Sequence, residues 1–375
     1  HLGVRRQRQM CIRDSRYGIR TREIGLNWAK ADSRFDLSKE VNEPNKVGYV
    51  VEIDPLNPNS TPKKHTALGR FKHENAELVI SKDGKIIVYM GDDERGEYLY
   101  KYVSNESINE VKDKSTLLSN GNLYVAKFND NFTGEWLLLD TQTTGFSSKA
   151  EVCIFTRLAA SKVGATTMDR PEWIASNPKK NEVCCCLTNN KNRGIKTNKG
   201  GDKVDVDKVN PRKNNKYGQI VRWKPRDNNH SSVYFEWDLF VVAGNPNVHD
   251  DNNRGSKNID KENMFNSPDG LKFDKYGRLW IQTDGNYSNS GDFKGMGNNQ
   301  MLIADTNTGK IKRFMVGPKE CEVTGLTFAP DYKTVFVGIQ HPGERLGSNF
   351  PDNGNNKPRS CIIAIQKKDG SEILT

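Results

Sequence analysis

Apolar residues along this chain come in short runs broken by Gly, Pro, Asn and Asp. Short runs bounded by turn residues predict many strands and few long helices. Four segments share one layout. The first opens on Glu74, turns at Asp83-Gly84 and closes on Asp92 and Asp93. The second opens on Glu172, turns at Asn177-Pro178 and closes on Asn189 and Asn190. The third opens on Asp269, turns at Tyr276-Gly277 and closes on Asp284-Gly285; the fourth opens on Glu322, turns at Pro330-Asp331 and closes on Gln340 and His341. Each is a carboxylate, a short strand, a tight turn, a more apolar strand and a polar end. That is a predicted β-hairpin whose turn residues supply the backbone angles.

Further strands are predicted between the copies, at 98–103, 123–127, 136–139, 217–223 and 301–305. A hairpin with one or two outer strands per unit is how a propeller blade is built, so the fold class is all-β and the architecture a β-propeller. The first residue of a hairpin and the last of its second strand lie at the same end. In a propeller the inner strands converge on one channel. Glu74, Glu172, Asp269 and Glu322 are therefore expected around one mouth, with Asp92, Asp93, Asn189, Asn190, Asp284, Gln340 and His341 beside them. One such residue is an ordinary turn former. Four carboxylates in register repel one another unless cations lie among them. Oxygen donors suit calcium, and carboxylates with an added soft or imidazole ligand suit iron.

The chain has 375 residues, only 34% of them hydrophobic, and a formal charge of +10. No stretch approaches the roughly 18 apolar residues of a membrane span. The cations are dispersed, densest in the Asn/Lys-rich residues 189–216, which read as a solvated loop; residues 245–261 are a second such insertion, and each is expected to be either a lid or a disordered loop. No basic helix or nucleic-acid module accompanies the charge, so nucleic acid is not an expected partner. A mild attraction for phosphorylated small molecules is. The seven cysteines show no zinc spacing, and Cys184, Cys185 and Cys186 lie in an apolar run that reads as a buried strand. Trp136, Trp173, Trp223, Trp237 and Trp280 read as blade packing. Residues 1–15 fit neither strand nor helix and have no signal-peptide core. They are expected to be a non-native, adapter-derived or disordered segment, with one propeller domain over 16–375.

Several strings carry a resemblance: residues 43–45, 51–55, 66–74, 90–95, 123–128, 164–165, 168–173, 187–190, 267–271, 283–285, 321–325 and 340–344. In this order they resemble consecutive blocks of the PhoX family of alkaline phosphatases. The resemblance implies a six-bladed propeller that hydrolyses phosphate monoesters with ferric iron and calcium in its channel, usually exported to the periplasm or beyond by the twin-arginine route. It implies that Glu74 and Glu172 ligate the metals and that Arg170 grips substrate phosphate, with Arg170 and Glu172 as the catalytic pair. The planar fork of an arginine suits a phosphate better than a lysine does. Asp92, Asp93, Asn189, Asn190, Asp284 and Glu322 are further metal-ligand candidates from the repeat alone. A monomer is expected, because a propeller buries its own core.

The chain departs from the family pattern at one place. It lacks an N-terminal block whose cysteine ligates iron in the family. A fragment short of one hairpin and one ligand is expected to turn over little, even where its parent is an enzyme. Two other readings compete. A calcium-dependent lactonase would share acidic and amide ligands at a channel mouth, and a binding propeller would use its outer surface.

Overall fold

The computed structural model describes residues 16–19 and 27–373. The expectation for residues 1–15 lies outside the described residues. Eighteen strands are present among them. A small hairpin, β1 (Val50–Glu52) and β2 (Lys63–His65), precedes the blades. The first blade contains β3 (His73–Ile80), β4 (Lys85–Asp92), β5 (Leu99–Ser107) and β6 (Gly121–Phe128), extended by β7 (Thr133–Leu139). The second contains β8 (Pro171–Ser176), β9 (Val183–Leu187), β10 (Gln219–Pro225) and β11 (Tyr234–Val242). The third contains β12 (Pro268–Phe273), β13 (Arg278–Thr283), β14 (Gln300–Asp305) and β15 (Ile311–Val316). The fourth contains β16 (Glu322–Phe328), β17 (Thr334–Gln340) and β18 (Cys361–Gln366). All pairings are antiparallel, and all four predicted hairpins form. Short pairing of β7 with β11 at Thr133, Gly134 and Glu135 stitches the outer edges of the first two blades into one sheet.

The inner strands β3, β8, β12 and β16 lie side by side in that order, so the blades fan around one axis. Each gap between blades is an apolar core. Tyr89, Trp136, Trp223 and Trp237 fill the first, and Cys184, Cys186, Phe240, Leu271 and Leu279 the second. Trp280, Met301, Val323 and Val337 fill the third. The middle strand β9 is buried on both faces, which is why its three cysteines stand where Val or Ile would serve. All are unpaired thiols. The flanks of the fan are open: Leu78 and Ile80 on β3 are 51% and 54% exposed, and Ile362 on β18 is 75% exposed.

One expectation needs correcting. Residues 189–216 do form a loop, but it is only partly solvated. Arg193 is buried and donates from Nε to Asp169 Oδ1 at 2.7 Å and from Nη2 to the Thr167 carbonyl at 2.8 Å. Asn198 donates to the Gly96 carbonyl at 2.9 Å, and Arg212 to the carbonyls of Ala243 and Gly218. Polar composition here provides internal hydrogen bonds, which a hydropathy reading cannot distinguish from solvation.

Candidate metal centre

Three of the four hairpins open with the same local break. The β3–β4 register slips between His73 and Ala76, β8–β9 between Pro171 and Ile174, and β12–β13 between Pro268 and Leu271. Glu74, Glu172 and Asp269 each lie inside that bulge. A bulge re-aims a side chain out of the regular pleat and is common beside active sites. Arg170 and Ser267, two residues ahead of the carboxylate, have φ of 56° and 52°; Glu320, two ahead of Glu322, has 62°. Non-glycine residues in this region store strain that the surroundings must hold. The N–H groups of Asp93, Thr188 and Asp284 then donate to the carbonyls of Lys72, Arg170 and Ser267 at 3.0, 3.2 and 3.1 Å. These bonds define the true register of the repeat. In the second blade the equivalent of Asp93 is Thr188, and Asn189 and Asn190 lie beyond it.

The breaks bring two groups of donors together. Donor atoms of Glu74, Asp93 and Glu172 lie within 4.8 Å of one another, as do those of Asp284, Glu322 and His341. Asp269 lies between the groups. Its charge bears on Glu74, Glu172 and Glu322, and its Oδ1 is buried with no hydrogen-bond partner. Gln340 donates from Nε2 to Glu322 Oε2 at 2.7 Å, and His341 Nε2 is 3.7 Å from the same oxygen.

So many carboxylates cannot all be charged at ordinary pH. Burial of its carboxyl and the charges of Asp269 and Asp93 raise the Glu74 pKa to about 7, although the residue as a whole is exposed. Burial, then Asp269 and Asp284, raises Glu322 to about 8. Burial and Asp269 push Glu172 well above the carboxylate range. Burial also raises Asp269 and Asp284. Arg170 is the cation that reaches this cluster. Its Nε and Nη2 donate to Asp93 at 2.7 and 3.0 Å, and Nη2 is 2.8 Å from Glu172 Oε1. Burial, which opposes its charge, is outweighed by Glu172 and Asp93, so its pKa rises. One arginine against six carboxylates leaves a negative site. The orphaned Asp269 oxygen and the oxygen-rich donor set fit hard cations, and His341 adds the nitrogen a transition metal accepts.

The structure separates the other predicted ligands from this cluster. Asp92 is fully buried on the opposite side of β4. Arg157 takes both its oxygens, from Nε at 2.7 Å and Nη2 at 2.5 Å. Adjacent strand residues point to opposite faces, so of the acidic pair only Asp93 reaches the channel. The expectation that Asp92 joins the ligands gives way to this ion pair. Asn190 is buried and accepts from the Asn192 N–H at 2.9 Å, which shapes the loop. Asn189 is nearer: its amide donates to Ser267 Oγ at 3.2 Å, and it shares the wall of a cavity of about 300 Å³ with Asp284. Arg95 lines the same cavity and is not among the ligand or substrate residues that the repeat or the resemblance points to. Its presence in the string 90–95, next to the acidic pair, is the signal that could have found it.

The family model described as alkaline phosphatase PhoX matches residues 5–343. Among solved structures, Pseudomonas fluorescens PhoX in complex with vanadate, a transition state analogue, is 54% identical with a TM-score of 0.91. The match covers 96% of this chain and 64% of that one, so the chain spans under two thirds of that protein's length. A gluconolactonase from Xanthomonas campestris matches at 11% identity and a TM-score of 0.31, covering 77% of this chain and 62% of that one. No curated protein matches the chain.

Proposed function

This chain belongs to the alkaline phosphatase PhoX family, and from that premise we propose that it carries the metal-binding channel of a phosphate monoester hydrolase. The observation that carries the proposal is the fit of 96% of the chain to a protein solved with vanadate, a transition state analogue. Such analogues bind where an enzyme stabilises the charge of its reaction. Calcium and ferric iron are the proposed metals. Glu74, Asp93, Glu172, Asp269, Asp284, Glu322 and His341 are their proposed ligands. When bound, such ions supply neutralisation of the charge that builds on phosphoryl oxygens.

Arg170 positions the substrate. Its fork is occupied by Asp93 and Glu172. With Asp93 and Glu172 holding bound cations, its N–H groups would be available to donate to two phosphate oxygens. The strained backbone at Arg170, followed by Pro171, aims the side chain at the cluster and limits its wandering. The parent protein is read as an exported monomer acting on small phosphomonoesters.

The test is hydrolysis of p-nitrophenyl phosphate by the chain completed with the parts of the Pseudomonas fluorescens protein that it does not cover, supplied with calcium and iron. Glu172→Gln and Arg170→Lys should each lower kcat/KM by about 100-fold or more, the scale of a lost electrostatic group. A folded, metal-replete protein that releases no phosphate, or one equally active after exhaustive chelation, overturns the proposal.

A further inference from the structure

The cavity beside the metal centre has a charge pattern that the reaction itself does not require. Its wall includes Asp284 and Asn189 at the cluster end, Phe293 on one side, and Arg95, Lys191 and Lys216. Its volume, about 300 Å³, is at the lower end of the range for small-molecule sites. Lys216 is ion-paired with Asp292. Arg95 and Lys191 are different: neither has a carboxylate partner among the described residues. The carboxylate next to Arg95 in sequence, Glu94, is committed to Lys72 at 3.1 Å and Lys199 at 2.7 Å. Arg95 Nε is buried with no hydrogen-bond partner. A buried donor left unpaired needs a reason, because its desolvation is uncompensated. Arg16, Arg157 and Arg193 are paired with carboxylates, and buried Arg212, whose Nε is also unpartnered, donates instead to the carbonyls of Ala243 and Gly218.

The walls are otherwise fixed by hydrogen bonds. Asn286 donates its N–H to Asn266 Oδ1 at 2.8 Å, and Asn215 donates to Asp169 Oδ2 at 2.9 Å. Two unpartnered cations on a rigid wall next to the reaction site form a receptor for negative charge carried by the substrate at a distance from the reacting phosphate.

We propose that this cavity receives the alcohol part of the substrate and selects phosphomonoesters that carry a second anionic group, a further phosphate or a carboxylate, bound by Arg95 and Lys191. The proposal rests on the phosphatase reading for its reaction but not for its ligand chemistry. Phe293 covers the carbon skeleton, and Asn189 and Lys216 complete the polar wall.

The experiment compares two ratios in the completed, metal-loaded protein and in the variants Arg95→Gln, Arg95→Lys and Lys191→Gln. The first is kcat/KM for fructose 1,6-bisphosphate over that for glycerol 2-phosphate. The second, by calorimetry, is the affinity for 3-phosphonopropionate over that for methylphosphonate. Both should exceed one in the unaltered protein. Each should fall about tenfold in Arg95→Gln and Lys191→Gln, the scale of one charge-assisted contact, and be largely kept in Arg95→Lys. Lys191 is exposed, so its variant folds even where an Arg95 variant does not. Hydrolysis with ratios that do not move overturns the proposal and leaves the phosphatase reading intact. Absent hydrolysis with the binding ratio still lost in the variants overturns the phosphatase reading and leaves the cavity assignment intact.

Discussion

Raising the pH of the metal-free protein should destabilise it. Glu322 has a folded-state pKa of about 8 against an ordinary 4.5, and its side chain is only 12% exposed. Between those values the folded protein holds a proton that the unfolded chain has released. Stability therefore falls as pH rises through this window, because the folded state binds more protons. The interval corresponds to about 5 kcal/mol. Glu74, at about 7, adds to the same trend. The two titrate together with Glu172 and Asp269, so their contributions are not summed. A loss of that size is a large share of ordinary domain stability. Calcium should reverse it, since cations replace the protons, by about 4 kcal/mol at a thousandfold excess over Kd. The assay is urea unfolding at about pH 5, 7 and 9 with and without calcium. The reasoning predicts a metal-free midpoint that falls across the series and a calcium effect that grows with pH. A metal-free midpoint that is flat or rises from pH 5 to 9 refutes it.

Two further outcomes follow from packing and buried charge. Arg157→Met strands the fully buried carboxylate of Asp92, which should cost about 3–5 kcal/mol in urea unfolding; the double variant with Asp92→Asn should recover part of that, and a single-variant cost below about 1 kcal/mol would contradict the pairing. Gly91→Ala would set a Cβ 2.3 Å from the Pro171 carbonyl oxygen and 2.5 Å from that of Glu172. It should destabilise by about 1–3 kcal/mol and weaken calcium binding by displacing Glu172, measured by calorimetry; unaltered affinity would mean that the first two blades do not set the Glu172 position.

Much of this molecule follows from the sequence because hairpins are local. The turns at Asp83-Gly84, Asn177-Pro178, Tyr276-Gly277 and Pro330-Asp331 and the flanking short strands specify four hairpins, and a carboxylate at the same offset in each specifies the ring of Glu74, Glu172, Asp269 and Glu322. Both depend on neighbours a few residues apart. What the sequence could not decide was side-chain direction and partner. Asp92 and Asp93 are equivalent in composition, yet strand alternation turns one to Arg157 and the other to Arg170. Asn189 and Asn190 look like the closing pair of their repeat, yet the Thr188 bond to the Arg170 carbonyl shifts the register. The polar residues 189–216 look solvated, yet Arg193 and Asn198 fold inward onto Asp169 and Gly96. The ion pair of Arg170 with Asp93 and the cavity at Arg95 arise where segments about 70 or more residues apart meet. Local pattern fixes which groups are available, and only the tertiary packing, through burial and the low dielectric it creates, decides which of them share a charge.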